Sequence, residues 1–239
     1  MTDVVAAFDI PPVPRADTTA QRIKNYILSN RLQPGDVLPT ESVLCTTLSV
    51  SRSSVREAIK RLATLDIVEV RHGYGTFVGN LSLAPLVEGL VFRGVLSPGD
   101  ELAALREVVE VRESLDLALA DALVEAMRGE EHPDLDRLVE AMEERSARGE
   151  PFLEEDREFH AILASKIGNQ LFSQLVVAFW EVHAAVAPRL GLPTARRIED
   201  TVRAHRAILR AAEAGDTERL KAAIIDHYTP LQELLAPDV

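Results

Sequence analysis

The stretch that decides the fold is VSRSSVREAIKRL, residues 50–62. Ser51, Arg52, Ser53 and Ser54 open it, and Arg56 follows one turn later. Val55, Ile59 and Leu62 recur at helical spacing and predict one buried face. Ser51 reads as an N-cap, which puts the short polar residues at a helix start, where free backbone N–H groups also favour phosphate. Arg52 and Arg56 stand at i and i+4, so they share a face and reach a guanine edge or two successive phosphates. Taken alone, the stretch fits a solvated amphipathic helix equally well. The flanking segments separate the two readings.

Upstream, Thr18-x-x-Gln21 has the form of a capping box and starts a helix with Ile23, Tyr26, Ile27 and Leu28 on its apolar side. Gln33-Pro-Gly-Asp36 predicts a turn. Thr40 then predicts an N-cap, with Glu41 in the first turn of a helix running to about Leu48. Ser49-Val50 is a tight connection into the opening stretch. Downstream the period changes: residues 67–71 and 76–78 read as two short strands around the turn His72-Gly73-Tyr74-Gly75. Three helices followed by a hairpin are a winged helix-turn-helix, here over residues 17–80, whose second and third helices form a DNA-reading unit. Residues 1–16, with Pro11, Pro12 and Pro14, read as a loose arm.

The net charge of −12 hides an asymmetry. Residues 15–80 carry 9 Lys/Arg against 6 Asp/Glu, and residues from 81 onward carry 17 against 30. A mildly basic module is joined to an acidic one that would repel phosphate. The single cysteine, Cys45, excludes an internal disulfide and a cysteine-based zinc site, and its apolar neighbours predict a small core residue. The first ten residues contain acids and no basic segment, unlike a secretory signal. The most apolar later stretch, residues 171–190, is interrupted by Gln174, Glu181, His183, Pro188 and Arg189, unlike a membrane span. The expected location is cytoplasmic.

From residue 81 the pattern is helical throughout, which makes the chain mainly α. Residues 81–99 read as a linker with a connecting apolar helix over 85–96. Ser97-Pro-Gly-Asp100 then breaks the chain and starts a long helix to about Met127. Further helices are expected over 134–148, 152–167, 170–189, 194–213 and 216–235, separated by Gly- and Pro-containing breaks. Residues 100–239 are thus an all-helical bundle of roughly six or seven helices.

Four of the six histidines fall within these helices: His160, His183, His205 and His227. Asp156 and His160 are i and i+4, a spacing that suits two ligands of one metal. His205 and His227 sit at the boundaries of apolar faces. One carboxylate and three imidazoles meeting inside the bundle would bind Zn²⁺, Ni²⁺, Mn²⁺ or Fe²⁺ with coordination positions left open. Spacing alone also accommodates several unrelated polar histidines.

GDVLPTESVLCTTLSVSRSSVREAIKRL, followed by RHGYGTFV, resembles the N-terminal domain of GntR-family bacterial transcription regulators. That resemblance implies DNA contacts from Arg52, Ser53, Ser54 and Arg56, alongside the capping Ser51, and from His72 and Gly73 at the wing tip. Two positions depart from the family pattern. Ser42 replaces a usual arginine, and Asp66 replaces the usual glycine before the wing, where it can take a left-handed conformation. In the second half, Asp-x-x-Phe-His, Ala-His-Arg-Ala-Ile-Leu and Asp-His-Tyr, with Gly168-Asn169 and Ala214-Gly-Asp216 between them, resemble the FCD effector domain of the FadR-like branch. The resemblance implies metal ligands at Asp156, His160, His205 and His227, with zinc first among the candidate metals. It implies an effector-facing arginine at Arg112, in Glu110-Val111-Arg112. A buried arginine beside a divalent metal suits a carboxylate, while pairing with Glu113 or Asp116 is the structural alternative. Arg157, Arg189 and Asn169 are further candidates for the effector cavity. His183 matches no family ligand and reads as a supporting or packing residue.

The expectation is a homodimeric repressor of palindromic operator DNA, controlled by a small carboxylate metabolite bound at the metal. A pure metal sensor is the main rival. A metal-dependent enzyme on a DNA-binding head is a second, weakened by the absence of a HExxH motif, a Ser-His-Asp arrangement or a spare general base.

Overall fold

The computed structural model describes residues 18–96, 102–187 and 198–236. The N-terminal arm, the break at residues 97–100, Arg189 and the break at residues 191–193 lie outside the described residues. The chain divides into two compact units, Met1–Pro85 and Leu86–Val239.

In the first unit, α1 (Thr19–Ser29), α2 (Glu41–Leu48) and α3 (Arg52–Thr64) precede β1 (Val68–Arg71) and β2 (Gly75–Val78). Thr18 caps α1 by accepting from the Gln21 N–H, while the Gln21 side chain turns to Asn25 and does not close the capping box. Thr40 makes no such side-chain cap on α2; its hydroxyl pairs instead with Ser42 Oγ at 3.0 Å. Ile23, Leu44, Val55, Leu62 and Val68 are the most deeply buried side chains of this core, with Cys45 packed at its edge. The antiparallel wing pairs Val68 with Val78 and Arg71 with Gly75.

Two local details were not apparent in the sequence. The segment after the Gln33–Asp36 turn adds a third line of pairing to the wing: Leu38 donates to Thr76 O at 2.8 Å and Val78 donates to Asp36 O at 2.8 Å. Asp66 does adopt a left-handed φ of 52°. The folded-back chain presses Gly79 against it, so a Cβ at Gly79 would stand 2.3 Å from the Asp66 carbonyl oxygen.

In the second unit, α4 (Ala84–Leu96) lays Val87, Leu90 and Val91 against the helical core. Seven helices follow: α5 (Ala103–Ala118), α6 (Ala120–Met127), α7 (Pro133–Ala147), α8 (Leu153–Ser165), α9 (Gln170–Val186), α10 (Ile198–Ala214) and α11 (Thr217–Leu235). The single long helix expected to about Met127 is therefore two. Leu119, with φ −104° and ψ 0°, ends α5 and begins α6. No Gly or Pro marks this bend. It lets α5 pack on α9 and α11 while α6 packs on α10 and α11. Met127, Leu135, Met142, Phe159, Leu209 and Leu220 fill the core. Among the described residues no helix is long and apolar enough to cross a membrane.

Candidate functional sites

The recognition helix α3 presents its polar N-terminus to solvent. Ser51 caps it by accepting from the Ser54 N–H at 3.1 Å, and its hydroxyl also lies 2.8 Å from those of Ser53 and Ser54. The cap therefore orders the serine cluster. Arg52 is exposed. Arg56 is exposed as well, but its Nε donates to Glu41 Oε2 at 2.8 Å, so the first turn of α2 fixes it in place. On the wing, His72 and Gly73 are exposed at the tip, and Gly73 adopts φ 81°. Behind them Arg71 stacks over Phe77, 4.2 Å from the ring centroid, which stiffens the hairpin.

In the helical unit, α8, α10 and α11 bring Asp156, His160, His205 and His227 together. One potential ligand atom from each lies within 4.8 Å of all the others. The ring centroids of His160, His205 and His227 are 4.5–5.3 Å apart. His205 Nδ1 lies 2.8 Å from the Thr201 carbonyl oxygen, an atom that only accepts, so Nδ1 carries a proton and Nε2 is the nitrogen turned to the cluster. That Nε2 stands 2.8 Å from Asp156 Oδ1, and His160 Nε2 stands 3.8 Å from the same oxygen. Despite the short distance, His205 Nε2 is not aligned for a hydrogen bond. It joins His160 Nε2 and His227 Nδ1 as buried imidazole nitrogens with no hydrogen-bond partner.

The electrostatics follow from burial. Desolvation pushes the His160 imidazole down to about 3, and it holds His227 well below its usual value. Burial opposes ionisation of Asp156, but the His205 contact and the nearby imidazoles outweigh it and keep the carboxyl well below the usual range. One ionised carboxylate therefore faces the neutral imidazoles of His160 and His227 and the Nε2 of His205 in the interior. This mixed N/O donor set matches what a small divalent cation requires. The orphaned nitrogens are the structural sign that the set fits a metal, because buried polar atoms otherwise find partners.

Sequence reasoning missed the supports of this cluster. Trp180 Nε1 donates to Asp156 Oδ2, which turns the other carboxylate oxygen toward the histidines. Trp180 is the chain's one tryptophan, but nothing in its spacing pointed to Asp156. Thr201 lies four residues before His205 and was legible only as a neighbour on the helix.

The remaining candidates are placed differently. Arg112 is buried, and its Nη1 lies 3.1 Å from His183 Nδ1. Asn169 is exposed and caps α9 by accepting from the Phe172 N–H at 3.2 Å. Arg157 is exposed and pairs with Glu181 at 3.1 Å. His132 stands just before α7, at its N-cap position without a side-chain cap bond, and is buried beside Glu213, 3.6 Å away.

Residues 107–229 match the FCD domain model, and residues 15–78 match the model of bacterial regulatory proteins of the gntR family. The chain belongs to the GntR family of bacterial regulators, with an FCD domain. The HTH-type transcriptional regulator LutR of Bacillus subtilis is 26% identical over 88% of this chain and 96% of its own length. The galactonate operon transcriptional repressor of Escherichia coli is 22% identical over 88% of this chain and 92% of its own. A putative transcriptional regulatory protein, NedR, of Micromonospora viridifaciens is 44% identical over 45% of this chain and 77% of its own. Among solved structures, a Streptococcus agalactiae GntR protein aligns over 91% of this chain and 98% of its own, with a TM-score of 0.65 and 28% identity. This GntR-family protein is a DNA-binding transcription regulator, and both its matched domains and its relatives are regulators rather than enzymes.

Proposed function

We propose that this regulator binds palindromic operator DNA as a homodimer and that a small organic acid, bound at a divalent metal in the FCD domain, controls its operator affinity. The observation that carries this reading is the buried set of unpartnered imidazole nitrogens around the Asp156 carboxylate. Asp156, His160, His205 and His227 would hold the metal, zinc before nickel, manganese or iron. A metal there would supply a Lewis-acidic centre for an oxygen donor. Arg112, buried close enough that its charge lowers both His160 and His227, supplies a guanidinium for the acid's carboxylate. Asn169, exposed at the start of α9, is the weaker effector contact because its side-chain oxygen already serves as a cap.

At the DNA, Arg52 reads the major groove, Arg56, Ser51, Ser53 and Ser54 meet phosphate, and His72 and Gly73 carry the wing contact. A single recognition helix spans one half-site, which favours a symmetric pair. The exposed Phe92, Val95 and Leu96 of α4 form an apolar strip suited to self-association. The reading is that of a repressor: the acid weakens operator binding.

The test is fluorescence anisotropy on an operator fragment obtained by in vitro selection, using chelated and zinc-loaded protein with and without a panel of small carboxylates. The expected result is a change of affinity caused by an acid in the zinc-loaded protein alone. Zinc switching affinity with no acid effect would replace this reading with metal sensing.

A further inference from the structure

Arg112 is 6% exposed, yet neither acid beside it on α5 takes its charge. Glu113 accepts from Gln232 Nε2 at 2.5 Å, and Asp116 accepts from the Tyr228 hydroxyl at 2.6 Å. Asp116 is near enough to feel the guanidinium, but its carboxylate is turned to the phenol. Arg112 instead meets His183 Nδ1 at 3.1 Å and lies over the Tyr228 ring, 5.4 Å from its centroid. Among the described residues no carboxylate forms an ion pair with it.

A guanidinium only donates, so His183 Nδ1 must accept, and the ring's one proton sits on Nε2. A buried cation held by a neutral acceptor and an aromatic face has no carboxylate in direct contact, an arrangement that folding penalises unless an anion arrives. An Asp or Glu at position 183 would neutralise Arg112 and compete with a ligand. An apolar residue there would leave the long side chain unheld. Histidine does neither.

We propose that His183 is the positioning residue of the effector site: it fixes Arg112 by accepting one N–H and leaves the guanidinium's other donors and its charge for a ligand carboxylate. The inference rests on the organic-acid reading above and adds to it the residue that makes the site select an anion. Burial and the adjacent Arg112 charge push the His183 imidazole down to about 3, so the accepting form persists through the physiological range.

The test compares wild type with His183→Phe, which keeps a ring and removes the acceptor, and His183→Asn, whose Oδ1 can replace Nδ1. Calorimetry on the zinc-loaded full-length chain uses acetate, malonate and citrate as carboxylate probes and inorganic phosphate as a control anion. Zinc stoichiometry and melting temperature are measured on the same samples. The expected result is a loss of about ten- to hundredfold in affinity for the best-bound carboxylate in His183→Phe, from the misplaced charged hydrogen bond. Zinc content should not change, and His183→Asn should bind within about threefold of wild type. Long-range ¹H–¹⁵N spectra should show the Nε2–H tautomer for His183. Equal carboxylate binding by His183→Phe and wild type, or a His183→Asn protein as weak as His183→Phe, overturns the positioning role and leaves the organic-acid reading standing. Wild type that binds zinc and none of the carboxylates overturns both.

Discussion

His205 Nε2 faces Asp156 Oδ1 across 2.8 Å, while the other nitrogen of the same ring is committed to the Thr201 carbonyl. The hydrogen bond to Thr201 commits Nδ1 and leaves Nε2 turned to the carboxylate oxygen in the interior. A proton or a metal ion between the two atoms would hold them together. Trp180 holds the carboxylate in that position from the opposite side. The helices thus arrange a donor set at the expense of local stability, as ligand sites commonly do.

Asp156→Asn and His205→Ala should each lose most bound zinc, with affinity falling by at least about tenfold, the lower end expected even for supporting residues. Elemental analysis after dialysis reads this directly. In wild type, zinc at about a hundredfold excess over its Kd should stabilise the fold by about 2.7 kcal/mol, and that increment should vanish in both variants. Either variant retaining wild-type zinc content would remove that residue from the ligand set.

His183 and Asp116 should leave opposite marks on stability as pH changes. Burial lowers the folded pKa of His183 to about 3 from the usual 6.5, so the unfolded chain binds more protons between these values. Stability is therefore lost as pH falls below 6.5, by about 2 kcal/mol at roughly pH 5. His183→Phe escapes this loss, so it should be about 2 kcal/mol less damaging at roughly pH 5 than at roughly pH 8. Burial raises Asp116 to about 6 from 3.8, so in that window the folded state binds more protons and acid stabilises it. Asp116→Asn, which can still accept from Tyr228, should be about 1 kcal/mol more favourable at roughly pH 8 than at roughly pH 5. Urea unfolding of metal-free protein at the two pH values measures both differences. Parallel trends for the two variants would contradict the assigned causes.

The layout of the DNA-binding head was legible because its signals are local. Ser51 caps the helix it precedes, and Gly73 and Gly75 mark the turn between two strands. The same holds for the helical half, where apolar spacing and Gly- or Pro-containing breaks mark most ends. The bend at Leu119 was not legible, because tertiary packing of α6 against α10 and α11 sets it and no helix breaker does. The Asp156 and His160 pair follows from helix periodicity, but the convergence of His205 and His227 on it needed motifs quoted from a family. The contacts of Arg112 with His183, Asp156 with Trp180 and Arg56 with Glu41 join residues far apart in sequence. Spacing carries no trace of such pairings.

Gly79→Ala should unfold the DNA-binding head or weaken it severely. Its Cβ would meet the Asp66 carbonyl at 2.3 Å, and the neighbouring Asp66 backbone is already left-handed and tied to Ser82 N–H through its side chain at 2.9 Å. Neither backbone segment can yield cheaply, so a loss of about 2–4 kcal/mol is expected. Circular dichroism melts of wild type and variant, with Gly35→Ala as a control for replacing a glycine at positive φ in open space, check this. A Gly79→Ala melt no lower than that of wild type would mean that the close approach relaxes without cost.

Arg52 and Arg56 should contribute unequally at the operator. Arg52→Ala is expected to cost about 1–3 kcal/mol and to relax discrimination at one base pair of the half-site. Arg56 already gives its Nε hydrogen bond to Glu41 at 2.8 Å, so it approaches DNA oriented but partly neutralised. Arg56→Ala should therefore cost less than Arg52→Ala and weaken selected and scrambled sequences alike, as removal of a phosphate contact does. Glu41→Gln should release that charge and raise affinity for both sequences, most at low salt. Anisotropy titrations on selected and scrambled duplexes at two salt concentrations separate these effects. A sequence-specific loss in Arg56→Ala, with Arg52→Ala binding as wild type, would reverse the assignment of the two arginines.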